Sequence, residues 1–291
     1  MSTLVLLLVT GVGLGALYFL VASGLSLIYG LMGVLNFAHG SFLTLGAYAG
    51  WEVSRRMSDG SWLSLVLSLV VGAAVGALVA IATELLLIRR LYERHVEQVL
   101  VTVGLALATV ALFDGIWGTD AVYVSGPAWL DETSGVLGAQ IPHDRFLLIG
   151  VAVAVLLGIV AFLRFTRFGL VIRAGVENRS MVTALGIDVR MAFTVVFAIG
   201  GAAAGIGGVL ASQYFGYVSP QLGASLLIFA FIVTVIGGLG SLLGAAIASL
   251  AVAVLQQLAN FYASGTGDLV VVLLLAAVLL VRPSGLMGAR A

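Results

Sequence analysis

The sequence predicts an all-α fold, a polytopic transmembrane helical bundle with eight to ten membrane-spanning helices. Hydrophobic residues make up 62% of the 291 residues and charged residues only 9%, with a mean hydropathy of +1.21. Soluble domains carry about 25% charged residues, so this chain has too few to cover a water-facing surface. Apolar runs of about 17–25 residues, the length that crosses a bilayer as a helix, recur from end to end. The runs are continuously apolar rather than alternating, which disfavours a β-barrel.

The apolar runs place the spans along the whole chain, near residues 4–29, 31–51, 62–88, 98–117, 146–163, 192–213, 222–239, 242–262 and 268–282. The first run lacks a basic leader and a clear cleavage site, so we interpret it as a membrane helix rather than a signal peptide. The junctions at Gly30 and Gly240 allow either two full helices joined by a tight turn or broken, re-entrant segments. We therefore expect a single transmembrane domain over residues 1–291.

The distribution of arginine predicts the orientation of the bundle. Residues 164–190 are rich in arginine, and the positive-inside rule places that loop in the cytoplasm, together with the C-terminus after Arg282. The long polar loop at about 118–145 carries mostly acidic residues and is expected to face outward. Arg55 and Arg56 fall on the outer side in this scheme, a mild violation of the rule.

The composition also limits the chemistry of the chain. There is no lysine, which a phosphate-binding P-loop and Schiff-base catalysis require, so any ATP hydrolysis belongs to another subunit. There is no cysteine, which excludes disulfides, thiolate metal sites and cysteine nucleophiles. The zinc-protease motif HExxH and the nucleophile elbow GxSxG are also missing. We expect no catalytic residue, no metal site, no cofactor in this chain and no nucleic-acid partner.

One polar stretch interrupts the apolar N-terminal run. Asn36 and His39 are three residues apart, so on a helix they would share a face, and Ser41 follows closely. Burying an amide and an imidazole in hydrocarbon without partners costs several kcal/mol, so such groups usually face a cavity or another helix. The alternative is that Asn36 caps the next helix and His39 bonds a neighbouring carbonyl. Both roles are compatible with the lining of a transport path.

A second stretch, at residues 235–244, contains Gly237, Gly238 and Gly240. Three glycines in four residues break or tightly turn a membrane helix, and freed backbone groups at that depth require protein or a watery cavity around them. Two glycine-interrupted segments in opposite halves of a chain are typical of a transport path. These three glycines therefore join Asn36, His39 and Ser41 as candidate path residues.

The arginine-rich loop contains a predicted amphipathic helix over residues 171–186. Its apolar face consists of Val171, Ala174, Val182 and Leu185, and its polar face of Arg173, Glu177, Asn178 and Arg179. Gly186 is expected to end the helix. Such a helix either lies on the membrane surface or inserts into a groove on a cytoplasmic partner.

Several motifs in one order resemble a known family. The run GLSLIYGLMGVLNFAHGS at 24–41 resembles the N-terminal signature of Liv-type permeases, the membrane subunits of branched-chain amino-acid ABC importers. Residues 164–188, 234–244 and 282–286 resemble that family's cytoplasmic segment, Gly-rich signature and C-terminal end. The resemblance covers nearly the whole chain.

The resemblance implies an ABC importer permease-like fold and a subunit of a larger complex in the bacterial inner membrane. The implied partners are two cytoplasmic ATP-binding subunits that use ATP and Mg²⁺, a second permease subunit (a paralogue or a second copy), an extracytoplasmic solute-binding protein and membrane lipid. In the family, the helix in the arginine-rich loop couples the permease to an ATPase. This role would fall on Arg173, Ala174, Glu177, Asn178, Arg179 and Gly186.

The cargo stays open at this stage. The resemblance implies leucine, isoleucine or valine, but close relatives import urea, short amides or other amino acids. An ion-coupled secondary transporter is a further alternative, and such proteins often carry carboxylates inside the membrane. The carboxylates here lie almost wholly in predicted loops or at span ends, with Glu84 as the nearest exception.

Overall fold

The computed structural model describes residues 2–33, 35–57, 60–92, 94–184, 186 and 189–288, without the side chains at 31 and 176–180. The α-helices are α1 (Ser2–Met32), α2 (His39–Met57), α3 (Trp62–Leu86), α4 (His95–Trp117), α5 (His143–Phe165), α6 (Arg167–Ala184), α7 (Val189–Phe215), α8 (Leu222–Gly237), α9 (Leu242–Tyr262) and α10 (Gly267–Val281). Short 3₁₀ helices cover Ile88–Leu91 and Ala128–Asp131. Four short strands, β1 (Val122–Tyr123), β2 (Thr133–Val136), β3 (Ala139–Pro142) and β4 (Tyr217–Val218), form the antiparallel pairs β1–β4 and β2–β3.

The predicted all-α, polytopic bundle is confirmed. Within the described residues, six helices are long and apolar enough to cross a membrane: α1, α3, α4, α5, α7 and α9. The helices α8 and α10 are shorter and apolar. The six long helices, α8, α10 and α2 correspond to the predicted spans, in agreement with the expected eight to ten membrane-spanning helices. The largest difference is that α2 begins at His39 rather than at residue 31.

Contacts between distant segments assign the loops to two opposite ends of the bundle. At one end, the backbone N–H of Leu286 donates to the carbonyl of Ile236 (2.8 Å), and Gly240 packs on Gly30. This arginine-rich end carries Arg89, Arg90, Arg94, Arg164, Arg167, Arg173, Arg190 and Arg282. At the opposite end, β1 pairs with β4 and the Ser54 hydroxyl donates to the carbonyl of Ser125 (2.8 Å).

The two arginines that violate the positive-inside rule lie at the opposite end and are paired. Arg55 and Arg56 contact the carboxylate of Glu52 at 2.9 and 2.7 Å. Glu52 therefore neutralises part of the positive charge at this end.

Glycine allows a close backbone contact between α3 and α7. Gly72 and Gly76 on α3 face Gly205 and Gly201 on α7, and a Cβ at any of these positions would collide with the facing helix. Small residues spaced four apart lie on one helix face and let two backbones approach in lipid. These glycine pairs therefore serve the packing of α3 against α7.

Candidate translocation path and coupling segment

A break between α1 and α2 returns the first predicted path stretch to the inside of the bundle. α1 continues past Gly30 to Met32, and Gly33, with φ 69°, turns the chain. α2 then begins at His39, whose Nε2 lies 3.1 Å from the carbonyl oxygen of Val21 on α1. At about 1.5 Å per residue, Val21 is roughly 16 Å from the end of α1. α1 itself is continuous through Gly30, and α2 begins as a separate helix after the turn.

Asn36 lies in the turn that leads into α2. Its Oδ1 accepts a hydrogen bond from the N–H of Ala38 (3.1 Å), and its backbone carbonyl accepts one from His39 (3.2 Å). Its Nδ2 is buried and has no hydrogen-bond partner among the described residues. Asn36 therefore orders the start of α2, as the capping alternative proposed. Because Asn36 precedes the helix, it does not share a helical face with His39.

His39 packs α2 against its neighbours. The ring is fully buried, bonds the carbonyl of Val21 and meets Phe42 edge-on at 5.7 Å between ring centroids. A Cβ on Gly24 of α1 would lie only 2.8 Å from the His39 Cε1. The imidazole ring therefore fits against α1 only because residue 24 has no side chain. The bond to a neighbouring carbonyl, foreseen as an alternative, is present. A role in the solute path remains a prediction for both Asn36 and His39.

A cavity of about 220 Å³ lies between α2, α4 and α8, beside Ser41 and Thr44. The Ser41 hydroxyl pairs with that of Thr109 on α4. The Thr44 Oγ1 accepts from the N–H of Gly223 (2.9 Å) and donates to the carbonyl of Gly40 (3.2 Å).

The rest of the cavity wall is apolar and includes Phe37, Leu107 and Leu227. Because both hydroxyls are already hydrogen-bonded, this space suits an aliphatic group better than an ammonium or a carboxylate.

The second glycine stretch forms a tight turn between α8 and α9 at the arginine-rich end. Gly237 ends α8, Gly238 and Gly240 take φ values of 101° and 83°, and the Ser241 Oγ caps α9 by accepting from Gly244 N–H (3.0 Å). The turn contacts α1 through Gly30 and accepts hydrogen bonds from residues 286–287.

The cavity lies some distance from this turn. Its α8 wall ends at Ile228, roughly 14 Å from Gly237 along the helix axis at about 1.5 Å per residue. Of the six candidate path residues, the structure places only Ser41 at the cavity. Asn36 and His39 are buried but do not line it, and the three glycines lie at the arginine-rich end of the bundle.

The predicted coupling segment is the helix α6, which the structure extends to Arg167–Ala184 instead of 171–186. Only Thr166 separates it from α5, and the Thr166 Oγ1 accepts from the N–H of Gly169 (3.0 Å). Gly186, with φ 77°, follows the end of the helix, as predicted for a helix stop.

The exposed face of α6 is partly apolar. Ile172 and Val182 are buried and Ala174 is half-buried, while Arg173 is exposed together with Leu170 and Met181. The predicted apolar face is therefore shifted to include Ile172. The side chains of Glu177, Asn178 and Arg179, and all of Leu185, lie outside the described residues.

The sequence interpretation did not foresee a buried ion-pair cluster at the end of α3. Glu84 is fully buried and contacts Arg89 at 3.2 Å, while the hydroxyls of Tyr92 and Thr194 also donate to its carboxylate. The hydrogen bond from Arg89 to Glu84 raises the pKa of the Arg89 guanidinium. Burial, and secondly its own hydrogen bond to Glu84, raises the pKa of Tyr92. The available signal was an acidic residue at the end of an apolar run, five positions before an arginine.

A second unforeseen cluster lies at the opposite end. Asp144 and Arg145 pair at 2.8 Å, and the Arg145 guanidinium lies 3.7 Å above the ring of Tyr214. Nearby, the Tyr18 hydroxyl donates to Gln256 (2.8 Å), which in turn donates to Asp268 (2.8 Å). No group of three metal-ligating side chains occurs within the described residues.

The family model and the most similar of the compared proteins named below share one description, that of a branched-chain amino acid permease. The family described as branched-chain amino acid transport system / permease component matches residues 7–281. LivH of Salmonella typhimurium, a high-affinity branched-chain amino acid transport system permease protein, is 30% identical over 96% of this chain and 93% of its own length. BraD of Pseudomonas aeruginosa has the same description and is 28% identical over 97% and 94%. The fructose import permease FruF of Bifidobacterium longum is 27% identical over 86% and 69%.

No solved structure matches the chain significantly. The relatives above are named as transport permeases and not as enzymes, and the helical bundle fits a multi-pass membrane protein. Since one family description covers nearly the whole chain, the fold and the motifs have a common explanation. The chain belongs to the family of permease components of branched-chain amino acid transport systems.

Proposed function

We propose that the chain is the membrane-spanning subunit of an ATP-driven ABC importer for branched-chain amino acids. Separate cytoplasmic subunits hydrolyse ATP with Mg²⁺, a solute-binding protein delivers the amino acid from outside, and a second permease subunit completes the path. The observation that carries this proposal is α6, a partly exposed helix set between two long apolar helices at the arginine-rich end.

The coupling role is supported by the surface of α6. A helix that presents an arginine beside apolar side chains, as Arg173 stands beside Leu170, fits a groove on a partner protein. The proposed contact set comprises Arg173, Ala174, Glu177, Asn178, Arg179 and Gly186. Binding of ATP by the partners would press on this helix and rock the permease halves around the central path.

The arginine-rich end faces the cytoplasm in this proposal, with the C-terminus inside and the protein in the bacterial inner membrane. A single cysteine at Met181 should then react with a membrane-impermeant maleimide in inside-out vesicles only. A single cysteine at Leu137, which is exposed at the opposite end, should react in right-side-out vesicles only. The reverse pattern would contradict the orientation.

The branched-chain cargo is supported by the names of the LivH and BraD relatives and by the apolar cavity beside Ser41. The match to FruF shows that relatives of this chain are named for other solutes as well. Urea and short amides, the alternative cargoes that the sequence resemblance left open, serve as competing cargoes in the test.

The test is uptake into proteoliposomes that contain this chain, its ATP-binding and permease partners, and the solute-binding protein. We expect uptake of leucine, isoleucine and valine that requires ATP and persists without a proton or sodium gradient. Uptake that depends on an ion gradient and does not require ATP would support a secondary transporter. Preferential uptake of urea or acetamide would reject the branched-chain cargo while leaving the ABC mechanism intact.

Replacing the coupling surface tests the role of α6. The double variant Glu177→Ala/Arg179→Ala should remain in the membrane but lose ATP-dependent uptake. Glu97→Ala is the control, since Glu97 is exposed at the same end on α4. Uptake by the double variant equal to that of the control would refute the coupling role.

A further inference from the structure

The Glu84 cluster places a carboxylate where the helix itself disfavours it. Glu84 lies in the last turn of α3, and the C-terminal end of a helix carries partial negative charge. The side chain is fully buried in one of the most apolar helices of the bundle. Such a group requires specific partners, and the structure supplies three.

The partners occupy both carboxylate oxygens of Glu84. Oε1 accepts from Arg89 Nε (3.2 Å) and from the Tyr92 hydroxyl, and Oε2 accepts from the Thr194 hydroxyl (2.9 Å). Arg89 Nη2 also donates to the Thr194 Oγ1 (2.9 Å). The carboxylate is thus neutralised by a guanidinium and surrounded by donors, which is unlike an intramembrane carboxylate that binds a coupling ion or exchanges a proton.

These partners come from two separate parts of the chain. Arg89 belongs to the 3₁₀ helix after α3, Tyr92 follows it, and Thr194 lies near the start of α7. Tyr92 also meets the buried Phe193 of α7 edge-on, at 4.7 Å between ring centroids. The cluster therefore joins the ends of α3 and α7, whose glycine faces already pack along their length.

The position of the cluster connects it to α6. The chain leaves α6 at Ala184 and enters α7 at Val189, so any displacement of α6 reaches α7 within a short connection. Thr194 lies five residues inside α7. A displacement of α6 would therefore first move the start of α7. This is the part of α7 that Thr194 attaches to Glu84 at the end of α3.

We propose that Glu84 is a positioning residue that makes α3 and α7 move as one body when α6 is displaced. This inference rests on the proposed function, because it assigns Glu84 to the mechanical step between ATP binding and solute movement. Without the cluster, the start of α7 would tilt on its own, and the movement of α6 would be lost before it reached the glycine-packed part of the helix pair.

The transport test compares Glu84→Gln with Glu97→Gln in the reconstituted importer. Both variants lose one carboxylate at the arginine-rich end, but Glu97 is exposed. We expect leucine transported per ATP hydrolysed to fall at least about fivefold in Glu84→Gln, the lower range of coupling between distant sites, and to stay unchanged in Glu97→Gln. An equal ratio in both variants would overturn the inference, whereas a merely structural role would reduce the amount of assembled importer without changing the ratio.

Thr194→Val keeps the test informative if Glu84→Gln fails to assemble. It removes one donor and keeps the side-chain volume, while Arg89 still neutralises Glu84. A smaller fall in the same ratio is expected, and an unchanged ratio would count against the inference.

A distance measurement separates this inference from the proposed function, because it needs no ATP. The chain contains no cysteine, so cysteines introduced at Leu86 and Met191, both exposed at the ends of α3 and α7, can carry spin labels. We expect one narrow distance distribution in the otherwise unchanged chain and in Glu97→Gln, and a broad one in Glu84→Gln. A narrow distribution in Glu84→Gln would overturn the inference, whereas loss of ATP-driven uptake by the unaltered importer would overturn only the proposed function.

Discussion

Replacing Gly205 with alanine tests whether close backbone contact between α3 and α7 holds the bundle together. A Cβ at Gly205 would collide with the carbonyl oxygen of Gly72, and it would lie 2.8 Å from the Gly72 carbonyl carbon and 3.3 Å from the Cα of Ala73. Ordinary contact begins at 3.4 Å. All three neighbours are backbone atoms, so the methyl group is accommodated only if one helix moves.

The expected cost follows from this geometry. Overpacking a tightly packed interior costs about 1–3 kcal/mol. Since every 1.4 kcal/mol is a factor of ten, the collision alone should shift the unfolding equilibrium by roughly 5- to 150-fold. Gly104→Ala on α4 is the control, because a Cβ there meets nothing within 4 Å. Both substitutions gain about 1 kcal/mol of helix propensity, so the difference between the variants isolates the collision.

The assay is denaturant-induced unfolding of both purified variants in the same detergent, followed by circular dichroism. We expect Gly205→Ala to unfold at a clearly lower denaturant concentration than Gly104→Ala. Coincident unfolding curves would refute the reasoning, since they would mean that α3 and α7 separate at no cost.

Four further substitutions test the candidate path and the turn at the arginine-rich end. Ser241→Ala removes the N-cap of α9 and should lower the free energy of unfolding by about 1 kcal/mol in the same assay, whereas the exposed Ser225→Ala should not. Gly240→Ala places a side chain at φ 83° and should destabilise the protein by about 1–2 kcal/mol; a melting temperature equal to that of the unaltered protein would contradict the need for glycine there. Asn36→Ala and His39→Ala should reach the membrane, as checked by fractionation, and import less leucine. Normal import by both would remove these residues from the path.

Most of the helix pattern was predictable because each long apolar run has one stable form in lipid. Without water, every backbone N–H and carbonyl must bond within the segment, which leaves the α-helix. Gly186 was also predictable as a helix stop, since a left-handed residue at a helix end is a local property of the chain. Local rules of this kind need no knowledge of what a segment packs against.

The residue at which α2 begins could not be predicted from those local rules. Residues 31–38 are mostly apolar and continue a helical pattern, but the chain turns at Gly33 and re-enters to bring His39 against Val21. The energy of that hydrogen bond and of the packing around the ring depends on α1, which no local window contains. The cavity beside Ser41 has the same origin, because helices distant in sequence form its walls.

The amino-acid sequence by itself determined that the chain is a helical membrane protein, that its arginines gather at one end, and that its motifs resemble a transport permease. Composition and local hydrogen bonding decide these properties. Only the tertiary structure decided that Glu84 meets Thr194 from 110 residues away, and that the glycine turn at Gly240 lies away from the cavity. Charge pairing and cavity shape depend on which helices become neighbours, and that choice is made by the packing of the whole bundle.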